Sequence, residues 1–153
     1  MPGLVLAQAW PATEWTLVES QQRRARFLEV AVGRLGLGPR IVVVRERAEV
    51  AGRDPGLRAR FEAVFSRSFG PPAAAAECGA AFLRPGGRLV VAEPPEADER
   101  RWPVEGLTAV GLVVESRGRA SKGVGSWIVL RQVGEYPAGL PRRVGLPAKR
   151  PLF

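Results

Sequence analysis

Trp15-Thr16-Leu17-Val18-Glu19-Ser20-Gln21-Gln22-Arg23-Arg24 is the stretch that decides the fold. It opens on Trp, Thr and Val, residues that suit a pleated, half-buried surface, and it ends in an acid. A helical pattern follows without a gap. Ala25, Leu28, Ala31 and Val32 recur at helical spacing from residue 21 to about residue 35, while Arg23, Arg24 and Arg26 lie mainly on other faces. Gly36-Leu37-Gly38-Pro39 stops that helix. Ile41-Val42-Val43-Val44 is then an unbroken β-branched run, as expected of a strand covered on both faces of a parallel sheet.

An acid at the tip of a strand that feeds directly into a helix has a chemical meaning. In nucleotide-binding α/β folds this group, on the second strand, accepts hydrogen bonds from a ribose. A first strand and a glycine turn are expected ahead of it, yet only Met1-Pro2-Gly3 and a short apolar stretch to Trp10 precede it. The expectation is therefore a nucleoside-cofactor fold, amino-terminally truncated, that begins near the end of the helix after that turn.

Further along, Asp54-Pro55-Gly56 marks a loop, and residues 61–65 form the next expected strand, with Ser66-Arg67-Ser68 at its carboxyl end. Pro71 opens an expected helix through Leu83, Arg84-Pro85-Gly86-Gly87 reads as a tight turn, and residues 88–92 read as a strand. Pro94 to Arg101 is charged and reads as exposed. Residues 107–115 and 126–132 read as an antiparallel pair at a sheet edge, joined by a polar stretch. Alternating strands and helices closed by two consecutive strands imply an α/β sheet, wound on both faces, with an antiparallel terminal hairpin.

Composition narrows the chemistry. The chain has 153 residues, enough for one compact domain, with mean hydropathy -0.04. No apolar run approaches the roughly 20 residues of a membrane helix, and the first residues do not read as a secretory leader. A cytoplasmic protein is expected. With His 0, imidazole triads and histidine-ligated metals are excluded, and Cys78 alone makes neither a disulfide nor a thiolate zinc site. Cys78 lies in a run of small residues and reads as a core side chain. Lys+Arg 23 against Asp+Glu 15 gives a net charge of +8, which favours a polyanionic partner. A composition rich in Arg, Ala, Gly and Pro throughout is the bland alternative for that charge.

Several segments resemble one family. Leu17-Val18-Glu19-Ser20 through Arg23-Arg24-Ala25-Arg26-Phe27-Leu28 is similar to the "LLDS…KRxxFL" segment of the GidB (RsmG) family. Phe61-Glu62-Ala63-Val64-Phe65-Ser66-Arg67-Ser68-Phe69 resembles its "FDxVxSRAF" strand, and the ending from Pro141 to Leu152 resembles its "PRxxGxPxKxPL" tail. Pro2-Gly3-Leu4 fits the last part of its glycine loop. The resemblance implies a class I S-adenosylmethionine methyltransferase (Rossmann-like) sheet lacking the first strand, and methylation of guanine N7 in small-subunit (16S) ribosomal RNA. It implies S-adenosyl-L-methionine as cofactor, with Glu19 on the ribose, Ala48 and Glu49 in the segment that cradles adenine, and Arg67 at the cofactor. Arg142, Arg143, Lys149 and Arg150 would contact RNA phosphates; a merely solvated basic terminus is the other reading of those four. Ribosomal RNA in the small subunit is the implied partner, with no membrane and no metal. Residues 1–136 would form a partial methyltransferase domain and residues 137–153 a basic, proline-rich tail packed on or extending from it.

Two departures stand out. The first strand and most of the glycine loop have no counterpart, and Glu93-Pro94 stands where the family has a Lys-Gly pair. A catalytically inactive RNA-binding remnant of the fold is the alternative. An NAD-dependent oxidoreductase would share the acid at Glu19 but not the terminal hairpin or the basic ending.

Overall fold

The computed structural model describes residues 2–120 and 125–153. The chain runs α1 (Pro2–Ala9), β1 (Trp15–Val18), α2 (Gln22–Arg34), β2 (Ile41–Val44), α3 (Ala48–Ala51), β3 (Phe61–Arg67), α4 (Pro72–Ala80), β4 (Leu83–Glu93), α5 (Val104–Thr108), β5 (Leu112–Arg119), β6 (Ser126–Gln132) and α6 (Leu146–Lys149). Part of the polar stretch expected between the last two strands lies outside the described residues.

The strands form two sheets rather than one. β1 pairs parallel with β2, and a second sheet has the order β3-β4-β6-β5, with β3 parallel to β4 and the last two strands antiparallel. The edges of β1 and β3 that face away from these partners have no strand beside them among the described residues. Trp10, Trp15 and Phe65 meet between the sheets, each tryptophan 5.5 Å from the phenylalanine ring centre. The amino ends of β1 and β3 both line one cavity of about 300 Å³, so the two strands start side by side.

Each sheet has its own apolar cluster. Ala7, Leu17, Leu28, Val32 and Ile41 bury together around β1, β2 and α2. The larger cluster includes Leu89, Leu107, Val110, Leu112, Ile128 and Leu130. Here α4 is buried from Ala73 to Ala80, because its small Ala, Cys and Gly residues let it lie close to the sheet.

Three expectations need correction. Residues 107–109 are not strand: Leu107 sits in α5 and packs into the core, and the chain turns at Gly111, whose φ is +71. A side chain there would fall 2.5 Å from the Gln132 amide nitrogen, so β5 begins only at Leu112. The helix expected to reach Leu83 stops at Ala80, because Leu83 pairs with Phe61 at the start of β4. The turn at residues 84–87 survives inside that strand as a bulge, since the next register pair is Ala63 with Arg88.

Candidate functional site

In parallel sheets the carboxyl ends of the strands are where ligands gather. Glu19 follows the last residue of β1; its backbone N–H donates to the Val44 carbonyl at 3.0 Å, and its Oε1 accepts from the Gln21 N–H at 2.8 Å. This carboxylate is half-buried and pinned by the first turn leading into α2. Arg67 closes β3 and is exposed, with no ion-pair partner among the described residues. No hydrogen bond joins Glu19 to Arg67 among the described residues.

Ala48 and Glu49 open α3 beyond the end of β2. Ala48 is half-buried, whereas Glu49 is buried and its carboxylate turns toward the tail. Glu49 Oε1 accepts from Arg47 Nη2 at 3.0 Å and from the Gly145 N–H at 2.9 Å. Burial pushes this carboxyl upward, but the Arg47 and Gly145 donors outweigh it and hold the group below the usual range.

A second buried carboxylate shapes the tail. Glu77, fully buried in α4, accepts from the Arg142 backbone N–H at 2.7 Å and from its guanidinium, Nη2 to Oε2, at 2.7 Å. The Tyr136 hydroxyl donates to the Glu77 carbonyl at 2.6 Å. Arg53 donates to the carbonyls of Pro141 and Gly139, and Arg58 to those of Leu140 and Pro137. Of the four basic tail residues, Arg142 is thus engaged internally, while Arg143, Lys149 and Arg150 are exposed. Cys78 lies among these charges. Burial, with Glu49 and Glu77 nearby, pushes its thiol up to about 12, so it stays a neutral core group.

The rim also holds a cleft of about 380 Å³ that sequence reasoning did not single out. Its walls include Ser66, Arg67, Phe69, Glu93, Pro94 and Trp102. Glu93, noted only as a departure, is held at one oxygen: Oε1 accepts from Trp102 Nε1 at 2.8 Å and from Arg101 Nη1 at 3.1 Å. The acid therefore brings its own cation. The signal that could have found this was the spacing of Glu93, Arg101 and Trp102 around one connection; its charge read as solvated.

Among the described residues no helix is long and apolar enough to cross a membrane, and no group of three or more His, Cys, Asp or Glu side chains could hold a metal ion.

The fold is shared with solved structures of low sequence identity. The cyclase SpnF aligns with a TM-score of 0.65 at 19% identity, covering 88% of this chain and 71% of its own. Fibrillarin from Aeropyrum pernix, described as in complex with natively bound S-adenosyl-L-methionine, aligns with a TM-score of 0.59 at 19% identity, over 76% of this chain and 55% of its own. Two relatives are much nearer in sequence, both named ribosomal RNA small subunit methyltransferase G. The protein from Prochlorococcus marinus (strain MIT 9313) is 35% identical over 99% of this chain, which spans 63% of that relative's length. The protein from Roseiflexus castenholzii is 35% identical over 99% of this chain and 66% of its own length. The family model GidB, rRNA small subunit methyltransferase G, matches residues 1–100, which include β1 to β4, both ends of the candidate rim and the cleft-lining Glu93. By that match the chain belongs to the GidB family of rRNA small subunit methyltransferases G.

Proposed function

We propose that this chain carries the cofactor and RNA-facing rim of an S-adenosylmethionine-dependent methyltransferase acting on N7 of a guanine in small-subunit ribosomal RNA. The observation that carries the reading is the family match over residues 1–100, which takes in Glu19, Ala48, Glu49 and Arg67 together. An RNA substrate of this kind also fits a cytoplasmic protein.

The residues suit the cofactor. Glu19 has one oxygen fixed by the Gln21 N–H, which leaves the other to accept from ribose hydroxyls. Ala48 offers a small apolar surface to adenine, and Glu49 fixes the segment that presents it through Arg47 and Gly145. Arg67 is a cation suited to the cofactor's carboxylate through paired N–H donors. When bound, S-adenosylmethionine supplies an electrophilic methyl group on sulfur.

Guanine N7 bears an in-plane lone pair and no proton, so its methylation needs no general base. The chain's task is to align the nitrogen with the methyl and to exclude water, which explains why a protein with His 0 can serve. Specific RNA contact favours unpaired, splayed bases, so a loop guanine is the expected target. Arg143, Lys149 and Arg150 would meet phosphates, and Arg142 would hold the segment that presents them.

Calorimetric titration with S-adenosylmethionine, followed by methyl transfer to small ribosomal subunits lacking the modification, tests the reading. Saturable heat that Glu19→Ala weakens at least ~10-fold is expected, from loss of charged hydrogen bonds. Heat without N7 methylation would leave only binding, and no heat would defeat the proposal.

A further inference from the structure

The segment set against adenine in the reading above cannot hold itself in place. α3 is four residues long and has no side-chain cap at its start, and a helix this short is not stable alone. Its position is set by what grips it from outside. At its start, the buried Glu49 carboxylate accepts from the Gly145 N–H at 2.9 Å. Just past its end, Gly52 lies so near the tail that a Cβ there would fall 3.2 Å from Pro141 Cγ. Arg53, the next residue, donates through Nε to the Pro141 carbonyl at 2.8 Å and through Nη2 to that of Gly139 at 2.9 Å. Residues 139–145 therefore grip α3 at both ends.

The tail in turn hangs on α4. Arg142 is fixed twice by the fully buried Glu77, through its backbone N–H at 2.7 Å and through its guanidinium. Three residues on, Gly145 has a φ of +77, a left-handed conformation that strains residues with a side chain. No atom would stand within 4 Å of a Cβ at Gly145, so conformation rather than space selects glycine here. In that conformation its N–H meets Glu49. Pro147, two residues further, is fully buried, so the segment is packed as well as bonded.

From these contacts we infer that residues 139–145 are a strap that positions the adenine-facing segment. Arg142 and Gly145 are positioning residues for S-adenosylmethionine that act without touching it. Arg142 fixes the strap to α4, and the strap fixes Ala48 through Glu49 on one side and Gly52 and Arg53 on the other. Arg67 is held separately, by the pairing of β3 with Ala92 of β4. When the strap is loosened, the arrangement that accepts adenine is only partly populated, and apparent affinity falls by that fraction. The inference rests on the methyltransferase reading for the identity of the cofactor.

Calorimetric titration of the full chain with S-adenosylmethionine tests the strap, under conditions where circular dichroism shows each variant to be folded. Arg142→Ala is expected to raise Kd at least ~10-fold. Arg142→Lys, which keeps a cation beside Glu77, should recover part of that loss. Gly145→Ala, a smaller change, should raise Kd several-fold. A role in folding alone would leave Kd of a folded variant unaltered. In the unmutated chain the Gly145 amide resonance, followed by NMR, should shift saturably as the cofactor is added, and this measurement decides the matter where Arg142→Ala does not fold. An unaltered Kd in the folded variants, or a Gly145 amide indifferent to the cofactor, would overturn the inference and leave the methyltransferase reading standing. A chain that takes up no S-adenosylmethionine would overturn both.

Discussion

Two buried carboxylates hold the tail, Glu77 through Arg142 and Glu49 through the Gly145 N–H. Glu77 is fully buried and takes its charge balance from Arg142, whose guanidinium and backbone N–H both donate to it. Removing one member of such a pair leaves an uncompensated charge in a low-dielectric site. Arg142→Ala is therefore expected to cost about 3 kcal/mol, read from the urea midpoint at unchanged slope. Glu49 contributes through pH. Burial opposes its charge, but Arg47 and the Gly145 N–H hold its folded carboxyl below the ordinary value. A depressed folded value stabilises the protein above the unfolded value of roughly 4.3, and that contribution disappears as pH falls through the folded one. Denaturation midpoints measured from pH 6 downward should drop less steeply for Glu49→Gln than for the parent chain.

At the scale of elements, the sequence pattern was read well where apolar periodicity was strong. The Ala25–Leu28–Val32 stripe of α2 stands as expected, because it buries one continuous face, whereas β2 forms over its β-branched run but is not covered on both faces: Ile41 is buried and Val42 is 60% exposed. α3 was missed, since Arg45, Glu46, Arg47 and Glu49 look like a wet loop until Gly145 arrives from 96 residues away to satisfy Glu49. Leu107 and Thr108, the end of α5, read as strand because Leu107 and Val110 fit a short apolar run, which periodicity cannot assign alone. In the tail, Arg142 is engaged by Glu77, while Arg143, Lys149 and Arg150 are exposed and are the cations that the proposed RNA contact would use. Replacing these three by Ala should reduce the slope of log K against log salt for single-stranded RNA by about 2, measured by fluorescence titration.

For the molecule as a whole, the division into two sheets sets the order of loss. The β1–β2 unit buries a small apolar cluster, whereas the four-stranded sheet carries the larger one. Parts with few buried contacts open at lower free energy. Amide exchange under native conditions should therefore show β1 and β2 exchanging by opening while β4 and β6 remain protected; equal protection of both sheets would contradict the division. The aromatic contact of Trp10 and Trp15 on Phe65 bridges them. Arg40 strengthens the smaller unit by donating to the carbonyls of Ala7 and Thr13 around the end of α1.

The sequence by itself determined the element types with strong periodicity, the acid at the end of β1, the absence of imidazole chemistry and the family. These follow from local propensity, residue inventory and short ordered motifs. Only the tertiary structure decided which charges are spent and which are available. It turned Glu49 and Glu77 inward to hold the tail, paired Glu93 with Arg101 and Trp102, and left the Ser66 hydroxyl without a partner among the described residues. Such assignments depend on groups brought together from distant parts of the chain, where desolvation makes an unmet hydrogen bond expensive and a met one decisive.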